Sequence, residues 1–276
     1  MPISQEEAED FAARILAAAE HTSSIPPLTD EVDLDLDDAY RIASAVARRR
    51  IGRGERPVGW KIGFTNRTIW DEYGVHAPIW GPIYDTTVIR GPGDAAPASC
   101  PLAGLLEPRI EPEIVFRMAR APHPDMDERE LLDCVDAVGH GFELVQSLFP
   151  DWRFRAADTI AAFALHGCYR YGPLLPVDGP RTRAEWFTRL ADFEVVLFRN
   201  EIEADRGRGE NVLDGPLSAL RHFVGGLAER PMGRGVEPGD LVTTGTVTRA
   251  FPVQPGERWS TRINGLPLPG MLIAFT

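Results

Sequence analysis

The chain has 276 residues, which is enough for one large domain or two small ones. Hydrophobic residues make up 43% and charged residues 25%, the ordinary composition of a soluble globular protein. The net charge of −12 argues against nucleic acid or an anionic membrane as a partner. It does not exclude a small anionic substrate, because a metal ion and a few cationic side chains can make one pocket positive.

The cysteines and the N-terminus bear on the compartment. Cys100, Cys134 and Cys168 are far apart and follow no CxxC or Cys/His spacing, so neither a disulfide framework nor a zinc site is expected. The polar N-terminus does not resemble a signal peptide. No apolar run approaches the roughly 20 residues that a membrane span needs. These features predict a cytoplasmic protein with no membrane partner.

Two helices are predicted near the N-terminus. The first, over residues 4–20, begins with a capping box formed by Ser4 and Glu7. The second, from 37 or 38 to about 51, has acids in its first turn and arginines in its last, as the helix dipole favours. A strand over 58–65 and a short helix over 66–73 follow. Residues 74–101 are rich in Gly and Pro and predict a shaped loop with a short strand at 86–89.

Strands dominate the remainder of the chain. They are predicted over 110–118, 137–144, 167–171, 193–199, 241–244 and 258–263, with helices over 127–134, 155 or 157 to 165, 182–189 and 216–227. Asn264-Gly265 predicts a two-residue hairpin, and Asn200-Glu201 another turn. Because helices do not separate the strands regularly, a doubly wound parallel sheet is disfavoured. We expect a mainly antiparallel or mixed sheet, curled or doubled, with helices outside.

Two carboxylates lead into an apolar strand in the run Arg109-Ile110-Glu111-Pro112-Glu113-Ile114. Residues i and i+2 of a strand point to the same face, so Glu111 and Glu113 should converge. Two like charges so close repel each other unless a positive charge lies between them, and a divalent cation with oxygen ligands would provide it. The alternative is an exposed strand edge with two solvated glutamates.

Glu143 is the third acid that could complete such a site. It lies in the glycine-interrupted run Gly139-His140-Gly141-Phe142-Glu143, where a buried carboxylate is costly without a partner. Three carboxylates on neighbouring strands would fill one side of an octahedral Mg²⁺ or Mn²⁺ shell and leave positions for water or a chelating substrate. Without thiolate or clear histidine ligands, zinc or copper is less expected.

Lys61 is the main candidate for proton transfer. It lies in an apolar strand between glycines, and lysine is rarely buried unless it is paired. Near a metal or in a desolvated pocket its pKa would fall, which would allow proton transfer near neutral pH. The alternative is a snorkelling or ion-paired lysine.

Other polar residues have both structural and functional interpretations. Asp158 is either a first-turn helix acid or a catalytic group, and His140 and His166 are either structural or lie at the pocket. Arg109 is either an ion-pair partner or a ligand of a substrate carboxylate. Gly245, at the end of a strand, could place a backbone N–H group at a site.

Several motifs together resemble a known family. They occur in the family's order along nearly the whole chain and comprise residues 58–63, 74–78 with 80–81, 108–114, 142–145, 151–152, 157–161, 211–217 and 238–245. The sequence thus resembles the 2-keto-4-pentenoate hydratase and 4-oxalocrotonate decarboxylase branch of the fumarylacetoacetate hydrolase superfamily.

The resemblance implies a fold and a domain organisation. The expected fold is α+β, with the mixed β-roll of that superfamily, outer helices and a smaller N-terminal α/β part. Residues 1–90 would form the N-terminal part and residues 91–276 the catalytic β-roll, unless the two are one continuous domain. Homo-oligomers are expected, with a complex with another enzyme of the pathway as a further option.

The resemblance also implies a site. The three glutamates would bind Mg²⁺ or Mn²⁺, and Lys61 would stand beside the metal as an acid/base group, with Asp158 and His166 as further catalytic candidates. The substrate would be a 2-oxo acid, and the expected enzyme is a lyase, a hydratase that adds water to a 2-oxo-4-enoate in the catabolism of aromatic compounds.

Two alternatives stay open on the same scaffold. The first is a 2-oxo-dicarboxylate decarboxylase or a C–C bond hydrolase, in which the metal-bound 2-oxo acid would accept the electron pair left by bond cleavage. The second is a non-catalytic partner subunit, which would carry out no reaction. The run Ala162-Phe163-Ala164-Leu165-His166-Gly167 motivates the non-catalytic alternative, because related hydratases have polar residues here such as Asp-Asn-Ala-Ser. The substrate is the part of the prediction that this departure affects most.

Overall fold

The computed structural model describes residues 2–67, 70–73, 75–91 and 98–276. Its helices are α1 (Gln5–Glu20), α2 (Leu36–Gly52), α3 (Trp70–Tyr73), α4 (Glu128–Leu132), α5 (Ala156–Ala161), α6 (Gly179–Ala191) and α7 (Pro216–Glu229). The capping box of α1 is confirmed, since the Glu7 amide donates to Ser4 Oγ and the Ser4 amide to Glu7 Oε2. The prediction of a helix over 66–73 partly falls outside the described residues.

The strands are β1 (Pro57–Gly63), β2 (Ile79–Tyr84), β3 (Val88–Arg90), β4 (Ala98–Cys100), β5 (Arg109–Met118), β6 (Val135–Val145), β7 (His166–Tyr171), β8 (Leu175–Pro176), β9 (Glu194–Arg199), β10 (Ile202–Arg208), β11 (Leu241–Thr246), β12 (Phe251–Pro252), β13 (Arg258–Asn264) and β14 (Leu272–Phe275). The larger sheet has the order β2-β1-β11-β5-β6-β7-β3, with β12 beside β5 and β8 beside β6. The smaller sheet has the order β10-β9-β13-β14-β4. Most pairs are antiparallel, but β1/β11, β3/β7 and β14/β4 are parallel, so the predicted mixed sheet is confirmed.

Among the described residues, two larger cores and a small cluster of Ile83, Val115, Tyr169 and Leu241 hold these layers together. The main one joins the helices to one face of the larger sheet, where Trp60 of β1 packs against Phe223 of α7. The second lies between the two sheets and contains Ile110, Phe142 and Trp259. Since the larger sheet is covered by helices on one side and by the smaller sheet over part of the other, polar groups at its centre are far from bulk water.

Three local predictions are wrong. The helix predicted to reach residue 165 ends at Ala161 and is followed by a 3₁₀ turn, Phe163–Leu165. The two-residue hairpin at Asn264-Gly265 does not form, because β14 pairs with β13 only up to Ser260↔Leu272 and the chain returns over a longer loop. The region 74–101, predicted as a loop with one short strand, also contains the strand β2. Its Gly and Pro residues hid the strand pattern.

The division into two domains stays a prediction. Strands β1, β2 and β3 come from the N-terminal 90 residues, yet they pair within the larger sheet. Strand β1 in particular lies between β2 and β11 and reaches the centre of the molecule. The N-terminal segment therefore contributes directly to the surface on which the candidate site is built.

Candidate active site

The pairing of β5 with β6 brings the three predicted acids together. Glu111 lies opposite Glu143, and Glu113 lies opposite Gly141. One carboxylate oxygen from each glutamate lies within 4.8 Å of the others. Glu113 and Glu143 have no exposed surface, and Glu111 is partly buried. The alternative of two solvated glutamates at a strand edge is therefore wrong.

The environment of Glu113 fits a bound cation. Its Oε2 accepts a hydrogen bond of 3.0 Å from the Gly245 amide, whereas its buried Oε1 has no hydrogen-bond partner. Gly245 has a φ of +91°, and a Cβ there would lie 1.9 Å from Thr65 Oγ1, so only glycine allows this approach. An unsatisfied carboxylate oxygen in a cluster of oxygen donors is what a hard divalent ion would satisfy.

The charges of the cluster are unbalanced. Burial and the neighbouring carboxylates raise the pKa of Glu113 well above its ordinary value. Burial also raises the pKa of Glu111 to about 7, against the opposing effect of Lys61. Burial acts in the same direction on Glu143, but Lys61 and His166 outweigh it and lower its pKa to about 2. One ammonium group thus compensates one carboxylate, and a divalent cation would compensate the other two.

Lys61 reaches the cluster from β1. Because Trp60 and Ile62 belong to the core beneath the helices, Lys61 points to the opposite face of the strand. Its Nζ lies 3.1 Å from Glu143 Oε2 and donates to the Ala164 carbonyl at 2.8 Å. The ion-paired interpretation is therefore confirmed. Without a bound ion, the three glutamates outweigh burial and raise the pKa of Lys61, and a lower pKa beside a metal stays a prediction.

The carbonyl that binds Lys61 comes from an unusual turn. Phe163, Ala164 and Leu165 have φ values of 60°, 50° and 64°, a conformation that costs an L-residue of this kind about 1 kcal/mol or more. The turn replaces the last part of the predicted helix. It places the Ala164 carbonyl on Lys61 and the side chains of Ala164 and Leu165 on the cleft beside the cluster.

His166 also meets the cluster. Its Nδ1 donates to Glu143 Oε1 at 2.7 Å, and its Nε2 lies 2.9 Å from Thr87 Oγ1. The pairing of β6 with β7 shifts register between Leu144 and Val145, which brings His166 opposite Val145. A bulge of this kind turns a side chain toward the other face of a sheet. Sequence periodicity alone gives no sign of it.

The remaining candidates have other contacts. His140 bonds the Glu113 backbone carbonyl and Thr261 Oγ1, so it links β5 and β6 to the smaller sheet. Asp158 accepts hydrogen bonds from the Thr29 amide and hydroxyl and from the Arg155 amide. These contacts are those of a first-turn helix acid that also anchors a neighbouring turn. A catalytic role for Asp158 stays a prediction.

A small cleft of about 40 Å³ opens beside the cluster. Lys61 and Glu111 are its charged lining residues among those described, and its apolar walls include Phe64, Ile79 and Leu165. Trp152 also lines it and stacks with Arg109, whose guanidinium carbon lies 4.0 Å from the ring centroid. The cleft therefore offers a polar end at the glutamates and apolar walls beyond them.

Comparison with known proteins gives consistent relatives. The chain is 31% identical over 269 residues to the 2-keto-4-pentenoate hydratase of Paraburkholderia xenovorans strain LB400, covering 94% of this chain and 91% of that protein. The chain belongs to the 2-keto-4-pentenoate hydratase family. The 4-oxalocrotonate decarboxylase of Pseudomonas sp. strain CF600 is 28% identical and 94% covered. No family model matches the chain.

A solved structure extends the comparison to the fold of this hydratase and decarboxylase family. The 4-oxalocrotonate decarboxylase of Pseudomonas putida G7, complexed with magnesium and adipate, superposes with a TM-score of 0.88 at 25% identity and covers 99% of both chains. The predicted fumarylacetoacetate hydrolase type of fold is confirmed. Within the described residues, no helix is long and apolar enough to cross a membrane.

Sequence reasoning missed two contributors to the site. Thr87 lies in the turn between β2 and β3, where no local pattern marks a functional residue. The Ala164 contribution is a backbone carbonyl, which the side-chain pattern cannot reveal. Gly245, by contrast, stood out as a strand-ending glycine, and its amide does reach Glu113.

Proposed function

We propose that the protein is a divalent-metal-dependent hydratase that adds water to a 2-oxo-4-enoate. The main support is the cluster of Glu111, Glu113 and Glu143 beside Lys61, in a chain 31% identical to a 2-keto-4-pentenoate hydratase. The magnesium in the related decarboxylase structure supports Mg²⁺, or the similar Mn²⁺, as the ion.

The ion would be held by the three glutamates. When bound, it would supply a positive charge that attracts the carboxylate and 2-oxo oxygens of the substrate and stabilises the negative charge that develops there. By holding the ion, the glutamates would set the end of the cleft at which the anionic part of the substrate binds. The apolar walls then orient its hydrocarbon chain and limit the access of water.

Lys61 is the proposed proton-transfer group. An ammonium group has three N–H donors; that of Lys61 donates to the Ala164 carbonyl and forms an ion pair with Glu143. Since Lys61 also lines the cleft, a remaining N–H would be available to a substrate atom there. There it would give and recover the proton that moves between substrate carbon and oxygen during ketonisation.

A decarboxylase of 2-oxo-dicarboxylates is the second candidate. The observation that favours it is the apolar turn of Ala164 and Leu165, because no hydroxyl or carboxylate side chain is present there to orient a water molecule. Relatives named 4-oxalocrotonate decarboxylase are consistent with it. Loss of CO₂ would need the same ion and no added water.

One assay separates these candidates. 2-Hydroxypenta-2,4-dienoate is incubated with the enzyme and Mg²⁺, Mn²⁺ or EDTA, and loss of the conjugated absorbance is followed together with product mass. We expect metal-dependent loss of absorbance and a mass gain of one water. CO₂ release from a 2-oxo-dicarboxylate, without water addition to the dienoate, would favour the decarboxylase instead.

Assembly and location remain proposals as well. We infer a homo-oligomer in the cytoplasm, by analogy with the family. A complex with another pathway enzyme is a further option. A non-catalytic partner subunit is an alternative that the same assay tests, because turnover by the isolated chain would exclude it.

A further inference from the structure

The two oxygens of Glu143 have different partners. Oε2 lies 3.1 Å from Lys61 Nζ and has no hydrogen-bond partner among the described residues. Oε1 accepts the hydrogen bond from His166 Nδ1 at 2.7 Å. The second ring nitrogen of His166 continues to Thr87 Oγ1 at 2.9 Å. A line of contacts thus runs from the Thr87 hydroxyl to the carboxylate.

Hydrogen-bond chemistry fixes the roles along this line. An ionised carboxylate only accepts, so His166 Nδ1 must carry the proton. In the neutral imidazole, Nε2 is then an acceptor, and the Thr87 hydroxyl, which also lies 3.2 Å from the Tyr84 carbonyl, donates to it at the shorter distance of 2.9 Å. Both His166 and Glu143 are almost fully buried, so water cannot replace either contact cheaply.

The restraint has a consequence for a bound ion. With Oε1 held by His166, the Glu143 carboxylate cannot rotate to place both oxygens on one ion. Its Oε2 is left to face the cluster together with Lys61. Hydrogen bonds of this kind, made to the ligands of a metal rather than to the metal, orient those ligands and typically change affinity by about 10- to 100-fold when removed.

We propose that Thr87 and His166 are positioning residues that hold Glu143 as a one-oxygen ligand. This inference rests on the proposed metal site, but not on the reaction carried out there. It assigns His166 a role through Glu143 rather than contact with substrate. It also gives a function to Thr87, a turn residue 79 positions from His166 in sequence.

The test measures Mn²⁺ affinity from the free-ion electron paramagnetic resonance signal, without substrate. His166→Ala should weaken binding about 10- to 100-fold, and Thr87→Val several-fold. His166→Asn, which keeps an N–H donor near the Nδ1 position, should recover most of the loss. Thr87→Ser keeps the hydroxyl and should bind as wild type does.

Thr261→Val is the matched control. Thr261 Oγ1 lies 2.8 Å from His140 Nε2, so this pair repeats the Thr–His contact, but His140 touches a backbone carbonyl instead of a carboxylate. The control should keep the wild-type affinity. Thermal unfolding of each variant confirms that the fold is retained at the assay temperature.

Three results would overturn the proposal. These are wild-type affinity in both His166→Ala and Thr87→Val, an equal loss in Thr261→Val, and absence of Mn²⁺ binding by the wild type. Failure of the proposed function looks different, because the wild type would bind Mn²⁺, the variants would show the ordered losses, and no dienoate would be hydrated.

Discussion

Replacing Glu111 with glutamine should make the metal-free protein more stable at pH 8. In the folded protein the pKa of Glu111 is raised to about 7, mainly by burial, from an ordinary value of 4.5. One pKa unit corresponds to about 1.4 kcal/mol, so keeping this carboxylate ionised costs the folded state about 3 kcal/mol. Glutamine has the same shape and carries no charge, which removes this cost.

The sign of the pH dependence follows from the raised pKa. Below about pH 4.5 the carboxyl is protonated in both the folded and unfolded states, and it contributes no penalty. As the pH rises toward 7 the unfolded state releases its proton first, so the wild type loses stability over this interval. The Glu111→Gln variant lacks this loss, and the two proteins should differ little at pH 5.

Urea denaturation followed by tryptophan fluorescence, in EDTA at pH 5 and pH 8, measures these differences. Mn²⁺ at about 1,000 times its Kd should reverse the order, because a ligand at that concentration adds about 4.1 kcal/mol to the wild type and little to the variant. Glu201→Gln, at an exposed turn, serves as the control and should leave both profiles unchanged. Equal stability of wild type and Glu111→Gln at pH 8 in EDTA would refute the reasoning.

Three further predictions concern the same site. Mn²⁺ affinity should rise about tenfold or more from pH 6 to pH 8, because binding must displace protons from Glu111 and Glu113, whose pKa values are raised. A competition titration measures this affinity, and an affinity that does not change with pH would contradict the prediction. Lys61→Met should lower kcat by about 100-fold or more while Mn²⁺ still binds. Steady-state kinetics and the Mn²⁺ binding assay measure the two effects, and an unchanged kcat would exclude Lys61 from proton transfer. Thr29→Val removes the hydroxyl that donates to Asp158 and should cost about 1–3 kcal/mol of unfolding free energy with kcat within twofold of wild type; a large fall in kcat would instead support a catalytic Asp158.

The sequence was most informative where spacing alone determines direction. Glu111 and Glu113 are two residues apart in a strand, so their common face could be predicted, and the buried Glu143 required a partner. Lys61 lies between Trp60 and Ile62 in a strand, so its side chain points to the face opposite to theirs. In each case the strand period of two residues and the cost of a buried charge carried the inference.

Elsewhere, local patterns could not anticipate tertiary contacts. The apolar run at 160–165 suits a helix, yet the chain adopts three left-handed residues there because the Ala164 carbonyl contacts Lys61. The register shift that brings His166 to Glu143 depends on how β6 and β7 pair. β10 was missed because it is a charged edge strand, which lacks the apolar alternation of a central one.

The distances in sequence between the contacts of the site affect when it can form. Lys61 and the Ala164 carbonyl are 103 residues apart, and Gly245 and Glu113 are 132 residues apart. During synthesis, β5 and β6 leave the ribosome long before β11 supplies the Gly245 amide. A nascent chain therefore carries its repelling glutamates without their last donor, and we expect its affinity for an ion to reach the final value only when the larger sheet is complete. The time course of Mn²⁺ uptake during refolding would thus report the closing step of folding.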